Sequence, residues 1–158
     1  ARTAIGTFGG SLAGTAPTAL ATAVAREAMK RSGVEPGQIG ASVFGHVINT
    51  EPRDMYLSRA AAIEAGIPDT TPAMNVNRLC GSGLQAVVSA GHAIRCGEGD
   101  VFIAGGVESM SRAPYSLPKA ERAFGLGNQS AWDTTLGWRY PNPRMVEMYR
   151  TEAMGETA

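Results

Sequence analysis

The sequence predicts an α/β fold: a central mixed, mostly parallel sheet with helices on both faces. Two observations carry this. Segments with helical spacing alternate with short runs of β-branched and aromatic residues from Ala1 to Met110. One of those runs, "DVFIAGG" (Asp100 to Gly106), is almost wholly apolar, as expected of a strand covered on both faces.

Each element has its own signal. "TAPTALATAVAREAMKRSG" predicts a helix that Thr15 or Ala16 caps, with Pro17 in the first turn and Gly33 ending it after a basic last turn. Leu20, Val24 and Met29, with the interleaved alanines, supply its apolar face. "ASVFGHVI" (Ala41 to Ile48) predicts a strand, and "MYLSRAAAIEAG" (Met55 to Gly66) a second helix ending on glycine. "AMNVN" (Ala73 to Asn77) is a short strand. Gly81 to Gly97 is a third helix with Leu84, Val87, Val88, Ala90 and Ile94 as its apolar positions. After Met110 the texture changes. Ser111 to Met145 holds four prolines and both tryptophans with little periodicity, which suggests a long surface excursion of the kind that forms lids or binding loops. The expected division is therefore 1–110 and 111–158.

At 158 residues and 44% hydrophobic, the chain can bury one good core. Fourteen basic residues balance fourteen acidic ones without a block of either sign, which argues against nucleic acid or an anionic membrane surface as the main partner. Aromatic residues are too few for a base-stacking platform. No apolar run reaches the roughly 18 residues of a membrane span. Cys80 and Cys96, at opposite ends of the third helix, would lie about 24 Å apart at about 1.5 Å per residue, too far for a disulfide. The expected setting is reducing and intracellular, cytoplasmic or else an organellar matrix.

Cys80 is the residue on which function turns. A lone cysteine is usually a small buried hydrophobe, and Cys96, beside Gly97 at the end of an apolar helix, fits that reading. Cys80 instead follows a strand and opens a helix, in "NVNRLCGSGLQAV". That puts its sulfur near unpaired backbone N–H groups and the positive helix end, an environment that favours the thiolate. Gly81 and Gly83 leave the sulfur open to a substrate, and the same N–H groups could hold an oxyanion. The pattern is that of a strand–nucleophile–helix elbow. A base is harder to find. His92 lies about 18 Å along the same helix, and His46, between apolar strand residues, reads more naturally as structural.

Four stretches in order, "RTAIGTFGGSL", "NRLCGSGLQAV", "GDVFIAGGVESMSRAPY" and "AMGETA", resemble the N-terminal part of thiolases, and the resemblance covers essentially the whole chain. It implies a ping-pong acyl transfer in which Cys80 takes an acyl group from acyl-CoA as a thioester. That group then passes to the carbanion of acetyl-CoA, or to CoA after cleavage of a 3-ketoacyl-CoA. It implies that Met154 lines the acyl pocket and that Glu108 is a buried support for the segment around the cysteine, though a satisfied structural carboxylate is the plainer reading. Residues 111–158 would begin the loop domain that covers the CoA site.

No metal or cofactor is implied beyond CoA and acyl-CoA as substrates, and a homodimer or homotetramer is implied. "INTEPRDMY" and "DTTLGWRYPNPRM" look most like thiolases that handle acyl chains beyond acetoacetyl. Ala153 stands where some thiolases carry a histidine, unlike the short-chain biosynthetic type. The family's opening strand and its C-terminal half, with a second cysteine, a histidine and an asparagine, have no counterpart in the chain. The expectation is that 1–158 alone is poorly soluble and does not turn over as a thiolase. Two other readings share the fold: a ketoacyl-synthase-like condensing enzyme loaded from a carrier protein, and a non-catalytic lipid-carrier subunit with an unreactive Cys80.

Overall fold

The computed structural model describes residues 1–158, which divide into two compact units, Ala1–Ser111 and Arg112–Ala158. In the first unit, β1 (Ala41–Gly45), β2 (Ala73–Val76) and β3 (Phe102–Gly106) form a parallel sheet in the order β2-β1-β3. Parallel neighbours need crossovers, and helices supply them: α2 (Leu57–Ala65) joins β1 to β2, and α3 (Ser82–Arg95) joins β2 to β3. α1 (Pro17–Ser32) precedes the sheet.

The two faces of the sheet are filled differently. On one face Phe44 and Ile103 pack with Ala21, Ala25 and Met29 of α1 and with Leu57, Ala61 and Ala62 of α2. The inward stripe of α1 is Thr18, Ala21, Thr22, Ala25 and Met29, at helical spacing. Leu20 and Val24, expected on that face, are only half-buried. The alanines let α1 and α2 approach closely, and a buried serine pair, Ser42 and Ser58 with hydroxyls 2.9 Å apart, ties α2 to β1. α1 ends on Gly33 in the left-handed region, with its N–H bonded to the Met29 carbonyl.

On the other face α3 packs on β1 and β3. Side chains alternate along a strand, so Gly45 points away from the Phe44 core and toward α3. A Cβ on Gly45 would lie 2.6 Å from the Ser82 carbonyl carbon and 2.8 Å from the Gly83 nitrogen. Gly106, paired with Gly45 in the ladder, has its own Cβ position 3.4 Å from the Gly83 Cα. Gly45 and Gly106 thus let the first turn of α3 sit directly on the sheet.

Several boundaries and burials differ from expectation. β1 stops at Gly45 rather than Ile48, because the N–H groups of Val47 and Ile48 turn out of the ladder to the Glu108 carboxylate, each at 3.0 Å. β3 is an edge strand, paired only with β1, and of its five residues only Ile103 is buried. α3 begins at Ser82, and it buries Ser82, Ala86 and Ala90. Leu84, Val87, Val88 and Ile94, expected as its packing stripe, are exposed, because small residues face the sheet. Cys96 is exposed at the C-cap of α3, not buried.

In the second unit, the stretch without periodicity carries a two-stranded antiparallel ladder of β4 (Tyr115–Ser116) and β5 (Trp132–Asp133). The Trp132 and Tyr140 rings lie 5.7 Å apart, and the Tyr140 hydroxyl is 2.6 Å from that of Ser116. α4 (Pro143–Tyr149) is capped by Asn142, whose side-chain oxygen accepts from the Arg144 N–H at 3.0 Å. The four-residue α5 (Met154–Thr157) ends the chain.

Gly45→Ala should destabilise the first unit by about 1–3 kcal/mol, the usual cost of forcing an extra carbon into a packed site. The added methyl would meet backbone that cannot move without shifting α3. Urea unfolding of Gly45→Ala beside Gly83→Ala checks this, because Gly83 has nothing within 4 Å of its Cβ position and its variant should lose much less.

Candidate active site

Cys80 lies on the turn between β2 and α3 and is exposed. It stands one residue before the N-cap, Gly81, and so is not itself the first helical residue as the sequence suggested. The turn is tightly pinned. The Asn77 side-chain oxygen accepts from the Leu79 N–H at 3.0 Å. The Ser82 hydroxyl accepts from the Arg78 N–H at 2.8 Å and donates to the Leu79 carbonyl at 2.6 Å. The Gly81 N–H bonds the Arg78 carbonyl and the Ser82 N–H the Leu79 carbonyl, both at 3.0 Å.

These bonds hold Leu79 at a φ of 49°, in the left-handed region that a branched side chain rarely occupies. Backbone conformations of this kind persist only where the surroundings over-determine them. Here they reverse the chain so that Cys80 projects at the mouth of a 14-residue helix whose positive end faces it. Gly83, with open space at its Cβ position, leaves the approach clear.

His46 is elsewhere engaged. It is buried beyond the end of β1, and its Nδ1 donates to the Val107 carbonyl at 2.9 Å. Its Nε2 lies 3.6 Å from Asp54 Oδ2, an electrostatic contact longer than a hydrogen bond, and its Nδ1 is 3.3 Å from Glu108 Oε1. Every partner of the ring belongs to the loops after β1 and β3. His92 is exposed on α3. Neither histidine is bonded to Cys80.

Glu108 is the structural carboxylate of the plainer reading, not a buried support for the segment around the cysteine. Its carboxylate is partly exposed and holds Val47 and Ile48, the loop after β1, and makes no bond to the cysteine turn. Met154 is exposed at the start of α5, in the second unit, whereas Cys80 belongs to the first.

The residue that sequence reading missed is Asp54. Fully buried, it accepts from the Thr50 N–H and hydroxyl, both at 2.7 Å, and from the Glu51 N–H at 3.2 Å. Burial pushes its carboxyl up. The Thr50 hydroxyl, the Thr50 and Glu51 N–H groups and the His46 ring together more than reverse that, and hold it below its ordinary value of 3.8. The available signal was a threonine four positions before an aspartate in "TEPRD", a short loop closing on its own carboxylate.

These elements define a parallel α/β protein with an exposed cysteine on a strained strand-to-helix turn. More narrowly, the model of the thiolase N-terminal domain matches residues 1–158, and the chain belongs to the thiolase family. It is 55% identical over 136 residues to the beta-ketothiolase BktB of Cupriavidus necator, covering 86% of this chain and 34% of that one. It is 45% identical over 158 residues to the beta-ketoadipyl-CoA thiolase of Pseudomonas knackmussii, covering 99% and 39%. Among solved structures it resembles the Bacillus anthracis acetyl-CoA acetyltransferase at a TM-score of 0.80 and 38% identity, over 96% of this chain and 37% of that one. Human mitochondrial 3-ketoacyl-CoA thiolase in complex with CoA also gives 0.80, at 35% identity over 85% and 34%. The chain thus spans between 34% and 39% of the length of these two curated relatives.

Because the Asp54 carboxyl is held below 3.8, its contribution to stability is complete above about pH 4 and is lost as pH falls through the folded value. Asp54→Asn should cost roughly 1.5–3 kcal/mol at neutral pH, the worth of charge-assisted hydrogen bonds. Urea midpoints measured from pH 7 down to pH 2 should show the gap between the two proteins closing on the acid side. A gap independent of pH would mean that the charge of Asp54 is not what holds the loop.

Proposed function

We propose that this chain is the nucleophile-bearing part of a thiolase-type acyltransferase, with Cys80 as the group that carries the acyl chain between CoA thioesters. One observation carries the reading: in a chain matched end to end by the thiolase N-terminal domain, the exposed cysteine is held on the pinned turn at the positive end of α3.

The chemistry follows from that position. The Cys80 thiolate attacks the carbonyl carbon of an acyl-CoA, a new C–S bond forms, and the carbonyl electron pair moves onto oxygen. The Gly81 and Ser82 N–H groups are already bonded to the Arg78 and Leu79 carbonyls, so that oxyanion would draw on the N–H groups of α3 from Gly83 onward. Collapse of the intermediate breaks the bond to the CoA sulfur, which leaves with the electron pair and takes up a proton. The acyl group now rests on Cys80. It then passes to the carbanion of a second thioester, which makes a carbon–carbon bond, or to CoA in the degradative direction. In this reading residues 111–158 begin the loop domain that serves CoA, Met154 lines the acyl pocket, and the working form is a homodimer or homotetramer.

Acyl capture requires only the thiolate and its N–H donors, so it is the step to test. After incubation with acetyl-CoA, peptide mass spectrometry should find one acetyl group on Cys80 and none on Cys96, although both sulfurs are exposed. Added CoA should discharge it, and Cys80→Ala should abolish it. Equal modification of the two cysteines would sink the reading in favour of a non-catalytic subunit. Loading from an acyl-carrier protein but not from acyl-CoA would favour the ketoacyl-synthase reading.

A further inference from the structure

We propose that Ser82 is the positioning residue of this site: its hydroxyl sets the direction of the Cys80 sulfur. The inference rests on the reading of Cys80 as the nucleophile. The Ser82 side chain touches both the sheet and the turn. Its Cβ lies 2.8 Å from where a Gly45 Cβ would be, so its place on the sheet is fixed by direct contact with β1. Its hydroxyl reaches back over Cys80 to bond both backbone groups that bracket the turn, the Arg78 N–H and the Leu79 carbonyl. It is 5% exposed, so water does not compete for those bonds.

The consequence is local and directional. With a φ of 49°, Leu79 is in a conformation that relaxes once its restraints are removed. Its carbonyl accepts from both the Ser82 hydroxyl and the Ser82 N–H, so loss of the hydroxyl removes the shorter of the two bonds, and the Asn77 oxygen on its N–H is the other side-chain restraint. Rotation about Leu79 re-aims the next residue, Cys80, while α3, seated on Gly45 and Gly106, stays in place. The sulfur would stay exposed and move relative to the N–H groups at the helix start. Acyl transfer needs that relation; simple alkylation does not.

This separates positioning from folding in one comparison. Ser82→Ala removes the hydroxyl and keeps the Cβ against Gly45; Asn77→Ala removes the second restraint from an exposed position. In each variant, acetyl transfer from acetyl-CoA to Cys80 should fall at least about tenfold, since misplacing a reacting atom by about 1 Å costs on the order of a hundredfold. Iodoacetamide alkylation of Cys80, measured at about pH 10 where a free thiol is ionised whatever its surroundings, should stay within about twofold, because it then requires only an exposed sulfur. Acetyl transfer at the unaltered rate in both variants overturns the assignment. Loss of acetyl transfer together with a large fall in the urea midpoint in both variants overturns it too, since the hydroxyl would then serve the fold alone. If the unaltered chain itself takes no acetyl group, the nucleophile reading fails and this inference goes with it.

Discussion

The structure depends on how closely the first turn of α3 approaches the C-terminal ends of β1 and β3. Backbone meets backbone there, because Gly45 and Gly106 offer no side chain and the helix answers with Ser82 and Gly83. A helix packed on a sheet ordinarily stands off by the depth of its side chains. Removing that depth at one point brings the helix start down to the strand ends, where the chain leaving β2 has only the five residues Asn77–Gly81 in which to turn into α3. The short span forces a tight reversal, and the reversal is why Leu79 takes a left-handed φ. The exposed position of Cys80 is therefore a consequence of two glycines far from it in sequence.

The strand ends are held from the other side by carboxylates. Loops at the C-terminal edge of a parallel sheet have backbone N–H groups with no ladder partner. Here Glu108 takes those of Val47 and Ile48, and Asp54 takes those of Thr50 and Glu51. His46 lies between the two carboxylates and bonds the Val107 carbonyl, so the loops after β1 and β3 are joined through one buried ring. The polar groups cluster at this edge because the edge is where regular hydrogen bonding stops.

Much of this was legible in the sequence, for identifiable reasons. Pro17 and Gly33 bound α1 because each has a backbone preference that fits one end of a helix. Cys80 stood out because it falls where the period changes from strand to helix. The burial of α3 was misread: Leu84, Val87, Val88 and Ile94 have helical spacing, yet the face against the sheet is Ser82, Ala86 and Ala90. Hydrophobic periodicity finds the larger apolar stripe, and close packing selected the smaller one. Glu108 was legible as a structural carboxylate, and Asp54 had a faint signal in Thr50 four positions before it. What no pattern gave was which groups they hold: these, like those Ser82 holds, are backbone groups, and a backbone N–H has no signature in sequence.

The choice of small residues on α3 also decides what kind of rigidity the elbow has. Burying alanine removes little apolar surface, at about 25 cal/mol per Å², so the seat of α3 gains less from hydrophobic burial than Leu57 or Phe44 gain on the opposite face. Its position is instead fixed by short-range repulsion and by hydrogen bonds, both of which vary steeply with distance. A greasy interface tolerates sliding by fractions of an ångström, since area changes slowly as two smooth surfaces shift. Contact between Gly45 and the Ser82 backbone does not. The core of Phe44, Leu57 and Met29 holds the sheet to α1 and α2, while the glycine seat and the Ser82 hydroxyl set where the cysteine turn stands on it. Stability and placement are thus supplied by different faces of one sheet, which allows the site to be aimed without being part of the core.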